Sequence, residues 1–144
     1  MMNSRNASMR FGEKMPDTLY DTRYLICLFA TKEPSLQKKL KIELDARKRR
    51  YVSAITIYEI YRLSLEAEGR DVARIRRTAI EKDFEIIGVD SAIAAQAAEI
   101  KVKQGKDFPL ADAIIAATAM HLKIECFTDD EHMKRVIGLK TRWV

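Results

Sequence analysis

The chain has 144 residues, 47% hydrophobic and 33% charged, which gives enough apolar content for one buried core and too much for a disordered tail. Its formal net charge of +5 is uneven, with 18 Lys+Arg against 11 Asp+Glu in residues 1–82 and 8 against 10 in residues 83–144, so the basic half suits a polyanionic partner, a weak signal because solvated helix faces account for most such charge. No apolar run approaches the roughly 18–20 residues that span a bilayer, and Met1 to Lys14 has no apolar secretory segment; the expectation is a cytoplasmic protein with no membrane contact.

Met1 to Asp17 shows no periodicity and reads as a loose extension before a domain that starts at residue 18. Thr18-Leu19-Tyr20 reads as a short strand, and Tyr24 to Ala30 as the opening of a helix. Pro34 suits the first turn of a helix running to about Arg49, in which Leu36, Leu40 and Leu44 recur every four residues. The run Arg47-Lys48-Arg49-Arg50 ends it, either as cations at a helix C-terminus or as an RNA contact. Tyr51-Val52 reads as a brief strand. Thr56 caps a helix to about Ala67 with Gly69 as its stop, and Asp71 opens another to about Lys82. A strand follows at Phe84 to Ile87. Asp90 or Ser91 caps an alanine-rich helix ended by Gly105. Pro109 starts a helix to about Leu122, Ile124 to Phe127 forms a strand, Asp130 to Val136 a short helix, and Leu139 to Val144 a last strand.

Strands alternating with helices predict an α/β fold, a parallel sheet covered on both faces. Ligands of such sheets bind outside the carboxyl ends of the strands, which directs attention to four acidic positions. Asp21 follows the first strand and, taken alone, reads better as a plain helix N-cap than as a ligand. Glu59 lies among apolar residues early in a helix, at capping-box spacing from Thr56. Asp112 in Pro109-Leu110-Ala111-Asp112-Ala113-Ile114-Ile115-Ala116-Ala117 is the most informative, because that helix is apolar all round and therefore buried. A carboxylate there must be capped, paired or metal-bound. Thr128-Asp129-Asp130 follows a strand and offers either a cap or a further ligand. Carboxylates that converge repel one another unless a cation joins them, and oxygen donors suit Mg²⁺ or Mn²⁺. Cys27 and Cys126 sit in apolar surroundings and read as buried reduced thiols, while His121 and His132 form no metal-ligand spacing, so no His or Cys ligand is called for.

These pieces, Asp21-Thr22-Arg23-Tyr24-Leu25-Ile26, Ser53-Ala54-Ile55-Thr56-Ile57-Tyr58-Glu59, Pro109-Leu110-Ala111-Asp112-Ala113 and Thr128-Asp129-Asp130, resemble the PIN-domain family in order and spacing over roughly residues 18–144. The likeness is to the small stand-alone members that act as toxins of VapBC-type toxin–antitoxin pairs. The resemblance implies a Rossmann-like fold and a Mg²⁺- or Mn²⁺-dependent endoribonuclease. It makes Asp21, Glu59, Asp112 and Asp130 the catalytic acids, with Asp21, Asp112 and Asp130 on the metal and Asp129 as second choice. Thr128 matches a polar residue near the site. Arg23 departs from the pattern, which often has a small hydroxyl residue there, and would either compete with metal or grip a substrate phosphate. The resemblance further implies an RNA substrate, a small antitoxin partner and a homodimer. For the antitoxin, the apolar positions Ile57, Ile60, Tyr61 and Leu65 suggest a groove between two early helices, and they serve equally well to finish the core. Two alternatives remain at this stage: a non-catalytic RNA-binding or interaction module on the same fold, with Arg23 in the metal's place, and a phosphoacceptor site, which wants a Lys after a late strand where this chain has Lys123 before one.

Overall fold

Adjacent residues of each central strand send their side chains to opposite faces of one sheet in the computed structural model, which describes residues 16–47 and 49–144. Leu19, Tyr51 and Cys126 join one buried cluster, while Tyr20, Val52 and Phe127 join another. This is the period-two geometry of extended chain applied to strands that are buried on both sides.

The elements in chain order are β1 (Thr18–Tyr20), α1 (Thr22–Ala30), α2 (Pro34–Asp45), β2 (Arg50–Ser53), α3 (Ala54–Glu68), α4 (Arg70–Asp83), β3 (Glu85–Ile87), α5 (Ser91–Gln104), α6 (Leu110–Leu122), β4 (Glu125–Phe127), α7 (Glu131–Lys134) and β5 (Thr141–Arg142). The sheet order is β3-β2-β1-β4-β5, and every pairing is parallel. Helices α5 and α6 cover one face through Ile93, Ala97, Ile115 and Ala116. Helices α1 to α4 cover the other through Tyr24, Leu40, Ile60 and Ile80. The expected α/β architecture, a parallel sheet between two helical layers, is what forms. The chain runs outward from β1 to β3, then returns to the far side of β1 as β4. The order therefore reverses between β1 and β4, and a crevice opens at their carboxyl ends.

Several boundaries differ from the sequence reading for identifiable reasons. Helix α2 stops at Asp45, not near Arg49, because Arg47 turns back and is buried against Glu43 with two hydrogen bonds of 2.5 and 2.8 Å. Of the described residues of the basic run, none lies in the last turn of α2; Arg47 is internal and Arg50 begins β2. Helix α3 is capped by Ser53, whose Oγ accepts from Ile55 N at 3.1 Å, and Thr56 lies inside it, fully buried. Asp90 caps α5 as expected, accepting from Ile93 N at 2.9 Å. The last strand shrinks to two residues. Its Arg142 reaches across the amino edge of the sheet to Glu43 (2.9 and 2.7 Å) and Glu125 (2.7 Å), and Thr18 donates to the same Glu125 at 2.6 Å. Burial alone raises the Glu43 carboxyl, but the hydrogen bonds from Arg142 and Arg47 outweigh it, and the group ends below its usual range. Cys126 is fully buried, whereas Cys27 is only partly so. The extension read at Met1 to Asp17 lies, up to Met15, outside the described residues.

Candidate metal centre

Asp21 leaves the end of β1 into the crevice. It occupies the N-cap position of α1, yet its side chain makes no cap bond. Its Oδ2 instead accepts from the Thr128 hydroxyl at 2.6 Å, across the β1–β4 boundary. Only 2% of Asp21 is exposed. Burial pushes its pKa up to about 6, against the Thr128 hydrogen bond and with help from the charges of Asp130 and Glu59. Thr128 is itself fully buried, and its Oγ1 also accepts from Asp130 N at 3.1 Å. One hydroxyl therefore sets the position of two of the acids.

Glu59 arrives from the second turn of α3, so it is not the capping-box partner of Thr56. Its Oε1 accepts from Thr22 Oγ1 at 2.6 Å, and Thr22 Oγ1 lies 3.0 Å from Thr56 Oγ1. Thr22 has one hydroxyl proton, and the short contact assigns it to Glu59, so Thr56 is the donor in the second contact. This relay of two buried hydroxyls aims the Glu59 carboxylate, and nothing in the linear sequence marks it beyond the Thr that follows Asp21.

Asp112 sits in the first turn of α6, behind Pro109. Its Oδ2 is buried and has no hydrogen-bond partner among the described residues. Burial, then the charges of Asp21, Asp130 and Glu59, lift its pKa to about 7. Asp130 caps α7, with Oδ1 accepting from His132 N at 2.8 Å. Ligand atoms of Asp112, Asp130 and His132 all lie within 4.8 Å of one another. The linear sequence did not single out His132; its place two residues after Asp130, on the first turn of α7, was the available signal. Asp129 turns the other way. It pairs with Arg23 at 2.6 Å on the exposed rim, which leaves Asp130 as the acid of this loop that faces the cluster.

These observations test whether a divalent cation fits. The donors are hard carboxylate oxygens, and an orphaned buried oxygen among mutually repelling acids is what a cation would satisfy. The site passes on both counts. A cavity of about 800 Å³ lies elsewhere, at the amino edge of the sheet beside Lys123 and Lys140, and touches none of the four acids. Lys123 ends α6 before β4, so it does not reach the crevice as a phosphoacceptor site would require.

A parallel α/β sheet with acids at its switch point defines the class of protein. The family model described as PIN domain matches residues 18–139, and the chain belongs to the PIN-domain family. Solved structures similar to it include VapBC2 of Rickettsia felis bound to a promoter DNA fragment (14% identity, TM-score 0.74, covering 89% of this chain and 98% of that one). A toxin–antitoxin complex of Klebsiella pneumoniae is similar at 25% identity and TM-score 0.65, covering 85% and 94%. The toxin VapC20 of Mycobacterium tuberculosis, which cleaves the sarcin–ricin loop, is similar at 16% identity and TM-score 0.67, covering 85% and 98%. No curated protein matches the chain. Among the described residues, no helix is long and apolar enough to cross a membrane.

Proposed function

We propose that the protein is a Mg²⁺- or Mn²⁺-dependent endoribonuclease and the toxin of a toxin–antitoxin pair. The observation that carries the reading is the buried, unpartnered Oδ2 of Asp112 facing Asp21, Glu59 and Asp130. Asp21, Asp112 and Asp130 would hold the cation. When bound, it lowers the pKa of a coordinated water and neutralises charge on the phosphoryl oxygens. Thr128 holds Asp21 and the Asp130 loop in register across two strands. The Thr22–Thr56 relay orients the Glu59 carboxylate, placed to take a proton from water. Arg23 is tied to Asp129, and its bonds are spent away from Asp112. It therefore does not stand in the metal's place, which weighs against the non-catalytic alternative; at 55% exposure it is placed to meet a phosphate at the rim.

The toxin reading draws on the VapBC and toxin–antitoxin complexes among the similar structures. It also draws on Tyr58, Leu63 and Leu65, which leave apolar surface exposed on α3 for a small antitoxin. Ile60, which the sequence left open between that groove and the core, is in the core. Homodimer formation and a cytoplasmic location belong to the same reading. The test is induced expression in a bacterial host: growth arrest with shortened RNA, both relieved by Asp112→Asn, is expected. Arrest of equal depth by the Asp112→Asn protein would remove the reading.

A further inference from the structure

We propose that His132 is a nitrogen ligand of this metal centre, completing a set with Asp112 and Asp130 that favours a transition-metal cation such as Mn²⁺ over Mg²⁺. The inference rests on the metal-centre part of the proposed function and not on its substrate.

Two separate elements fix the imidazole. It stands on the first turn of α7, with Nδ1 3.2 Å from Asp130 Oδ1. That oxygen already accepts the backbone N–H of His132, so the ring is held beside the carboxylate by its own cap. The other anchor is Phe108, a buried ring before α6 that meets the imidazole edge-on at 5.9 Å and 82°. Phe108 lies four residues ahead of Asp112, so the loop that aims Asp112 also aims the imidazole. An imidazole 37% exposed would otherwise be free to turn into solvent. Here it is set within 4.8 Å of two carboxylates, one of which keeps a buried oxygen with no partner.

The chemical consequence follows from donor type. Carboxylate and water ligands suit Mg²⁺, whereas imidazole nitrogen suits transition metals and is a poor match for Mg²⁺. An imidazole nitrogen in one of the oxygen positions therefore shifts preference toward the transition metal. The competing role for the same geometry is a hydrogen bond from Nδ1–H to Asp130, which would make His132 a positioning residue only.

The two roles part in a binding experiment on the untagged, full-length, metal-stripped protein. Mn²⁺ and Mg²⁺ affinities are measured by calorimetry, and the Mn²⁺-loaded protein is examined by electron spin-echo envelope modulation for a coupled ¹⁴N nucleus. The parent should bind Mn²⁺ about tenfold or more tighter than Mg²⁺ and show the nitrogen coupling. His132→Gln should lose the coupling and about tenfold in Mn²⁺ affinity, with Mg²⁺ affinity changed less than about twofold. Equal melting temperatures in chelator establish that the variant folds; if it does not fold, the parent's spectrum decides alone. Absence of ¹⁴N coupling in the parent, its survival in His132→Gln, or an equal loss for both cations overturns the proposal. Nitrogen-bound Mn²⁺ without RNA cleavage would sustain it while removing the RNA substrate. Cleavage supported by a cation with no coupled nitrogen would do the reverse.

Discussion

Asp112→Asn should make the metal-free protein more stable, an unusual outcome for a substitution in a buried helix. The carboxyl is lifted from its ordinary value of 3.8 to about 7, first by burial and then by Asp21, Asp130 and Glu59. At about 1.4 kcal/mol per tenfold change, that displacement corresponds to roughly 4 kcal/mol with the carboxylate ionised. The side chain is only half-buried, and solvent screening reduces the figure to about 2 kcal/mol. Loss of a first-turn carboxylate from α6 offsets about 0.5 kcal/mol of the gain. The native state holds this proton more tightly than the unfolded chain, so the penalty is absent below pH 3.8, grows as pH rises, and is complete above about 7. Thermal melts in excess chelator at pH 5 and pH 8 read it directly. The variant should melt about 5 °C above the parent at pH 8, with well under that advantage at pH 5. A variant that melts below the parent at pH 8, or a difference that does not change with pH, would refute the electrostatic account of the cluster.

Thr22→Val removes the donor to Glu59 without changing side-chain shape. It should lower kcat for RNA cleavage by about tenfold or more with KM nearly unchanged, and Thr22→Ser should restore it; steady-state kinetics decide. Asp130→Asn should cost more activity than Asp129→Asn in the same assay, because Asp129 is already paired with Arg23; the opposite ranking would move the ligand to Asp129. Arg142→Met should lower stability by about 2 kcal/mol, since it leaves Glu43 to Arg47 and the Tyr20 hydroxyl and strips Glu125 of its nearest cation. The Glu43 and Glu125 carboxyls lie below their ordinary 4.5, so their contribution is present above that pH and is lost as pH falls through the depressed values. The gap between parent and variant in urea titrations should therefore close on acidification.

The sheet was legible, and the acidic positions stood out as candidates, because both leave local marks. Apolar runs broken by caps announced each strand and helix, and the all-apolar setting of Asp112 announced a carboxylate in need of a partner. Connections made through space left no such mark. The Thr22–Thr56–Glu59 relay joins residues up to 37 positions apart, so Thr56 at capping-box spacing looked like a helix cap until Ser53 was seen to fill that role. Arg47 read as part of a surface basic run because its burial depends on Glu43 and on the neighbouring Arg142, which arrives 99 positions after Glu43. His132 had no HxxxH partner to give it away. Its neighbours in the crevice are carboxylates, and one of them, Asp112, lies 20 positions earlier at the start of α6.

The central claim is that these acids form a metal centre that hydrolyses RNA. Its most direct test is cleavage of a labelled RNA by metal-stripped protein as Mn²⁺ is titrated back, with Asp112→Asn run in parallel. The parent should be silent in excess chelator and recover cleavage in proportion to bound metal, while the variant stays silent at every concentration. Cleavage by the parent that persists in excess chelator, or full recovery by Asp112→Asn, would contradict the account.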